Sequence, residues 1–217
     1  MMLRKRKALP VAFIAMLGVA AIPGASEAAG PDDLQQQIDA VLAKTEGGVQ
    51  ISRYEIAWGD GEAIMAFPFP GQKTAPPSSA AAKRLEAETV DARRSLIKED
   101  RTGAADAEAT PLGEDACPTE AIGKDWYCFY QSKEYEGRRL QWNSNHTTRV
   151  YFSNYDFHNR TSSWSNKGGL DVQVMGRTES GSDVSCTEQL WWEKPHTRNS
   201  SLPSSLNNTA DCFRTYE

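Results

Sequence analysis

Tyr130-Gln131-Ser132-Lys133-Glu134-Tyr135-Glu136-Gly137 places an aromatic residue seven positions before a glycine, with a second aromatic between them. Downstream stands Phe157-His158-Asn159-Arg160-Thr161-Ser162-Ser163-Trp164, and its pattern returns 49 residues later in Leu206-Asn207-Asn208-Thr209-Ala210-Asp211-Cys212-Phe213. Both copies run apolar, polar, Asn, two spacers, two small or polar residues, aromatic. Val174 and Gly181 repeat the spacing of Tyr130 and Gly137 ahead of the second copy. The period suits one four-stranded Greek-key unit, so 117–165 and 166–217 are expected to pack as two related halves of one sandwich.

The surrounding residues agree. The segments 126–131, 138–142, 149–152, 170–175 and 189–193 are short β-prone runs separated by Asn, Ser and Gly. Leu170, Val172 and Val174 alternate with Asp171 and Gln173, as on a strand with one buried face. Fifteen of the twenty Phe, Trp and Tyr residues lie between 117 and 217, so this part has the material for a core. All four cysteines, Cys117, Cys128, Cys186 and Cys212, lie there too, and an even count in an exported chain reads as two disulfides. Three pairings exist; the sequential one closes the two shortest loops and is preferred. A four-cysteine zinc site would need CxxC pairs, which the sequence lacks.

At these residues the chain resembles the βγ-crystallin fold. That family's folded hairpin carries an aromatic, six residues and a glycine, met by Tyr130 and Gly137 with Tyr135 between, and a later serine, matched by Ser163 beside Trp164. The glycine admits a positive-φ kink, the aromatic packs beside it, and the hydroxyl bonds backbone that the fold leaves unpaired. In the second unit, Val174 stands for the aromatic and Cys212 for the serine. Cys117-Pro118, Cys128-Phe129-Tyr130, the run 135–141 and Ser162-Ser163-Trp164 are further similar to exported actinobacterial peptidase inhibitors of the Streptomyces metalloproteinase inhibitor type. Gln50-Ile51-Ser52 through Glu55-Ile56-Ala57-Trp58 is similar to the leader found before that domain.

Residues 1–28 read as a signal peptide: Arg4, Lys5, Arg6 and Lys7, then an apolar stretch, then Ser26-Glu27-Ala28 at a cleavage site. The stretch is marginal against the ~20 apolar residues of a spanning helix, so export is expected rather than a stable membrane anchor. In 29–71, Leu34, Ile38, Val41 and Leu42 form one helical stripe behind a cap at Asp32 or Asp33. Two β-prone runs then flank Gly59-Asp60-Gly61, a hairpin turn. This helix-plus-hairpin leader is too small to stand alone. Residues 72–116 read as an acidic, low-complexity, flexible linker with a transient helix at 80–99 and dibasic pairs at Lys83-Arg84 and Arg93-Arg94. Those pairs are processing sites if 29–94 is a propeptide; a solvated charged helix is the simpler reading.

The net charge of −5 gives no basic footprint for nucleic acid. No HExxH, GxSxG or phosphate loop appears, His146, His158 and His196 have no metal-ligand spacing, and paired cysteines leave no thiol nucleophile. A non-catalytic binding protein is expected. The family resemblance implies substrate-like occupation of a thermolysin-type peptidase by a disulfide-held, strand-flanking loop, here around Val184, Cys186, Thr187 and Leu190. Calcium is a second expectation. Crystallin-like domains bind it through paired Asn/Asp-rich sequences, half-matched here, with Asn159, Ser162, Asn208 and Asp211 as oxygen donors and His158 at a position that calcium does not favour. No cofactor is required by the inhibitor reading. Third, Trp142, Trp191 and Trp192 are candidates for an aromatic platform on cell-wall polysaccharide, although adjacent Trp191 and Trp192 must face opposite sides of a strand. The sequons headed by Asn145, Asn159, Asn199 and Asn207 matter only in a eukaryotic secretory pathway, which the resemblance argues against.

Overall fold

The computed structural model describes residues 31–97, 115–119, 126–180 and 183–217. The signal-peptide reading of 1–28, Gly181, and the linker residues 98–114 with the second half of its acidic run lie outside them.

Among the described residues, eleven strands form two antiparallel sheets. The first seven-stranded sheet contains β1 (Val49–Ser52), β2 (Glu55–Trp58), β3 (Ala63–Ala66), β5 (Arg139–Trp142), β4 (Tyr127–Tyr130), β7 (Ser163–Asn166) and β10 (Thr197–Asn199), in that spatial order. The second contains β6 (Val150–Tyr151), β11 (Cys212–Tyr216), β8 (Asp171–Ser180) and β9 (Asp183–Glu193). Helices α1 (Pro31–Leu42) and α2 (Ala80–Ile97) and three short 3-10 helices complete the described elements.

The strand order contains the repeat. In unit one, β5, β4 and β7 lie side by side while β6 crosses to pair with β11. In unit two, β9, β8 and β11 lie side by side while β10 crosses to pair with β7. Each Greek key therefore lends its third strand to the other's sheet, and the expected all-β, βγ-crystallin-like sandwich is what the chain forms. The two repeat copies end at equivalent places: Trp164 pairs with Phe129 and Phe213 with Val174. Ser163 opposite Tyr130 and Cys212 opposite Met175 make Met175 the counterpart of Tyr130, one residue beyond the Val174 that spacing suggested. Between the sheets, Tyr127, Phe129, Trp142, Phe152 and Phe213 pack with ring centroids 4.7–6.4 Å apart, mostly edge-on.

The leader is built into this sandwich. The hairpin β2–β3 turns at Gly59-Asp60-Gly61, where all three residues have positive φ. At Gly61 a Cβ would lie 2.7 Å from Leu85 Cβ, so the helix α2 approaches only because no side chain is there. Strand β3 pairs with β5 from Ala63↔Trp142 to Ala66↔Arg139, extending the first sheet, and β1 adds a third leader strand that the sequence reading lacked. Helix α1 starts at Pro31, a favoured first helical position, rather than behind a cap at Asp32 or Asp33, and buries Leu34, Ile38 and Val41 in the same core as Met65, Phe67 and Phe129.

Part of the stretch read as linker lies against the fold. Residues 72–86 pack on the fold instead: Thr74 bridges to Gly137, Ala75, Ser78, Ala82 and Glu86 are buried, and Ser79 N donates to Glu55 Oε1 at 3.0 Å. Small side chains such as the buried Ala82 let this helix lie close to the sheet. Beneath them, fully buried Arg139 donates from Nε to Gln141 Oε1 at 2.6 Å, with Glu55 and Glu86 supplying nearby negative charge. Its burial lowers its affinity for the proton.

A shared core predicts shared unfolding. Met65→Ala should cost roughly 2–5 kcal/mol and move a single urea transition, followed by the sandwich tryptophans, to lower denaturant. Tryptophan unfolding that ignores the substitution would show that the leader is a separate unit.

Candidate functional site

The two units close their first hairpins differently, and the difference defines the site. In unit one the chain between β4 and β5 folds over itself. Glu134 and Tyr135 adopt left-handed backbone, Gly137 has φ +76°, and a Cβ there would meet Gln131 Cβ at 3.0 Å. The Tyr130 and Tyr135 rings meet edge-on at 5.3 Å. Ser163 Oγ donates to Ser132 O at 2.6 Å and accepts from Tyr135 N at 3.2 Å, so one hydroxyl satisfies two backbone groups of the fold. Trp164 is buried in the core beside it.

In unit two the hairpin stays extended. Strands β8 and β9 pair continuously from Val172↔Glu193 to Ser180↔Asp183, well past the end of β11 at Cys212↔Met175. Where unit one has the Ser163 hydroxyl, unit two has a covalent tie, Cys186–Cys212; Cys117–Cys128 is the other disulfide, and both follow the sequential pairing. Among the described residues no cysteine is free.

The expected inhibitory residues are therefore on a strand, not on a flanking loop. Val184, Cys186, Thr187 and Leu190 all lie in β9, because the disulfide and continuous pairing keep the segment in the sheet. The register makes two of them special. Pairing steps from Val174↔Trp191 to Met175↔Gln189, leaving Leu190 extra, and from Gly176↔Glu188 to Arg177↔Cys186, leaving Thr187 extra. Both are β-bulge residues, a device that re-aims side chains and is concentrated at sheet edges and functional sites. Ser185, Thr187, Glu188 and Gln189 are exposed, Leu190 is half-buried and Cys186 is buried. Strand β9 is the last strand of its sheet.

The calcium candidates come together in pairs across the two units. Ser162 Oγ lies 3.2 Å from Asn208 Oδ1 and also donates to Gln131 O at 2.9 Å. Asp211 contacts His158 Nε2 through Oδ1 and accepts from Arg177 N through Oδ2. Asn159 and Asn208 hold left-handed backbone, and their amides donate to Ala210 O and Thr161 O. At the Asp211 pair an imidazole thus faces the carboxylate. Beside the Ser162–Asn208 pair, Asn207 Oδ1 is buried without a hydrogen-bond partner. Among the described residues no group of three or more His, Cys, Asp and Glu could hold a metal.

The three tryptophans do not form one platform. Trp142 and Trp191 are in the core, while Trp192 lies half-buried on the other face, 5.3 Å from the Tyr216 ring and beneath Lys194 Nζ at 5.2 Å. Sequence reading missed Glu193, fully buried at the position where unit one has Trp142 opposite Tyr127. Trp191 Nε1 donates to its Oε1 at 3.1 Å, but burial pushes the carboxyl well above its ordinary range. It missed Asp115 as well, a buried carboxylate that receives Cys117 N, Ser165 Oγ and Lys167 Nζ beside the first disulfide.

Two outcomes are expected. Ser163→Ala removes the hydroxyl's bonds to Tyr135 N and Ser132 O and should cost roughly 1–3 kcal/mol in thermal or urea unfolding; an unchanged midpoint would deny the hydroxyl its role. Because Glu193 binds its proton more tightly when folded, its contribution to stability is full below the ordinary carboxylate range and is lost as pH rises through the folded-state value. Glu193→Gln should therefore gain stability relative to wild type on going from acid to neutral pH. Parallel stability–pH curves would contradict the assignment.

Among the described residues no helix is long and apolar enough to cross a membrane. Comparison with curated proteins finds no match. A solved structure from work on the evolution of the eye-lens βγ-crystallin domain fold is similar at 12% identity and TM-score 0.36, covering 46% of this chain and 92% of that one. Residues 113–187 match the model of peptidase inhibitor family I36, a stretch that runs from ahead of the first disulfide to the Cys186-Thr187 bulge. Over that stretch, about a third of the chain, the disulfide-bonded sandwich is similar to peptidase inhibitor family I36, a family of non-catalytic proteins.

Proposed function

We propose that this chain is exported and inhibits an extracellular metallopeptidase by presenting the hairpin β8–β9 as a rigid, substrate-like segment. The observation that carries the reading is the unlike build of the two hairpins: one is folded down and pinned by Ser163, the other projects and is pinned by Cys186–Cys212. Its outer strand is a sheet edge, the kind of backbone that an extended-substrate cleft pairs with. The Thr187 bulge turns an exposed residue outward next to the buried disulfide. A peptide bond cut there would leave both new ends held in place, and such preorganisation favours tight binding over release. Two disulfides suit an oxidising compartment. The thermolysin-type target class rests on the family resemblance.

A calcium-stabilised crystallin-like role is the second reading, favoured by the unpartnered Asn207 Oδ1 next to the Ser162–Asn208 pair. It predicts a rise in Tm in millimolar calcium that Asn207→Ala abolishes, by preferential binding to the folded state.

Titrating residues 29–217 into a thermolysin-type metallopeptidase and a subtilisin-type peptidase separates these readings. Inhibition predicts loss of metallopeptidase activity near a 1:1 ratio, weakened at least ~10-fold by Thr187→Arg, which is ~1.4 kcal/mol of binding. Both peptidases at full activity in excess of the chain would overturn it.

A further inference from the structure

Asp211 adjoins the disulfide residue Cys212 and is almost wholly buried. Its backbone N donates to Met175 O at 3.0 Å, and its carboxylate Oδ2 accepts from Arg177 N at 2.6 Å. One residue thus grips β8 on both sides of Gly176. Arg177 is the register partner of Cys186, beside the Thr187 bulge. At Gly176 an added Cβ would touch the Leu190 side chain and Thr209 O, each at 3.4 Å, so the Leu190 bulge lies against the gripped segment, and the register sets the Thr187 bulge opposite Gly176 and Arg177.

The repeat shows what is new in this arrangement. The counterpart of Asp211 in unit one is Ser162, whose N donates to Tyr130 O at 2.9 Å just as Asp211 N donates to Met175 O. Ser162 then donates its hydroxyl to Gln131 O, whereas Asp211 receives an N–H from β8 with an ionisable carboxylate. Its carboxylate contacts His158 Nε2 from the unit-one loop and lies 3.9 Å from the Arg177 guanidinium Nε. A hydrogen bond to a charged acceptor is worth roughly 1.5–3 kcal/mol, more than a neutral one.

We propose that Asp211 is a positioning residue for the projecting hairpin: its carboxylate fixes β8 at Arg177 and thereby sets the geometry of Cys186 and Thr187 that a peptidase meets. Its consequence for inhibition rests on the inhibitor reading; its effect on the hairpin does not.

Amide hydrogen exchange on 29–217 tests it. Asp211→Ala should speed exchange at 175–178 and 186–190 by about tenfold or more, the equivalent of losing one charge-assisted hydrogen bond. Exchange in β4–β5 should stay unchanged. Asp211→Asn, which keeps an acceptor for Arg177 N, should restore part of the protection; if the alanine variant does not fold, the asparagine variant alone must still exchange faster there. Ile38→Val, a core change remote from the hairpin, supplies the comparison for general destabilisation. With a thermolysin-type metallopeptidase, the wild-type hairpin should survive an incubation in which Asp211→Ala is cut in β9. Hairpin exchange that is unchanged, or that rises no more than in Ile38→Val, overturns the proposal. Looser hairpin exchange in a protein whose wild type slows no peptidase would retain Asp211's role and remove the inhibitor reading instead.

Discussion

Each Greek key of this chain gives one strand to the other's sheet, and this exchange is the constraint on which the rest depends. Among the described residues strand β6 has only β11 beside it and β10 only β7, so neither short strand pairs within its own unit. The aromatic cluster of Phe129, Trp142, Phe152 and Phe213 then joins residues from both units in one core. Burial of such rings is a large favourable term, and here it is gained only when the units close together. The leader uses the same principle on the open edge of β5, adding three strands and covering the outer face with the first turns of α2.

With the sandwich closed, the two units differ in how the first hairpin is finished. Unit one spends a glycine, two left-handed residues and the Ser163 hydroxyl to lay its hairpin down. Unit two has a cysteine at the matching position, and the disulfide holds a hairpin that is left standing. Equivalent positions, with a hydroxyl in one and a sulfur in the other, thus give a packed turn on one side and a projecting edge strand on the other. Asp211 and the bulges at Thr187 and Leu190 belong to this second solution.

Much of this was legible in the residues. The 49-residue repeat and the Tyr130–Gly137 spacing lead to the double Greek key, and Ser163 does what the signature requires. Gly59-Asp60-Gly61 marks its turn because positive φ leaves few residue choices. The rest needed three dimensions. Thr187 looks like a loop residue because a bulge breaks the alternation that identifies a strand. Residues 72–86 look like linker because a helix that contributes alanines and one leucine to a sheet has little apolar signal of its own. Glu193 was invisible because a buried carboxylate on a strand end is sequence-identical to an exposed one, and only the Trp191 indole beside it shows its environment.

The central claim is that a peptidase meets this domain at the disulfide-held hairpin. Amide hydrogen exchange of 29–217, with and without saturating thermolysin-type metallopeptidase, tests it most directly. The account predicts added protection on β9, centred on 185–190, with none on the folded β4–β5 hairpin. Protection confined to β4–β5 or to the leader, or no protection anywhere, would contradict it.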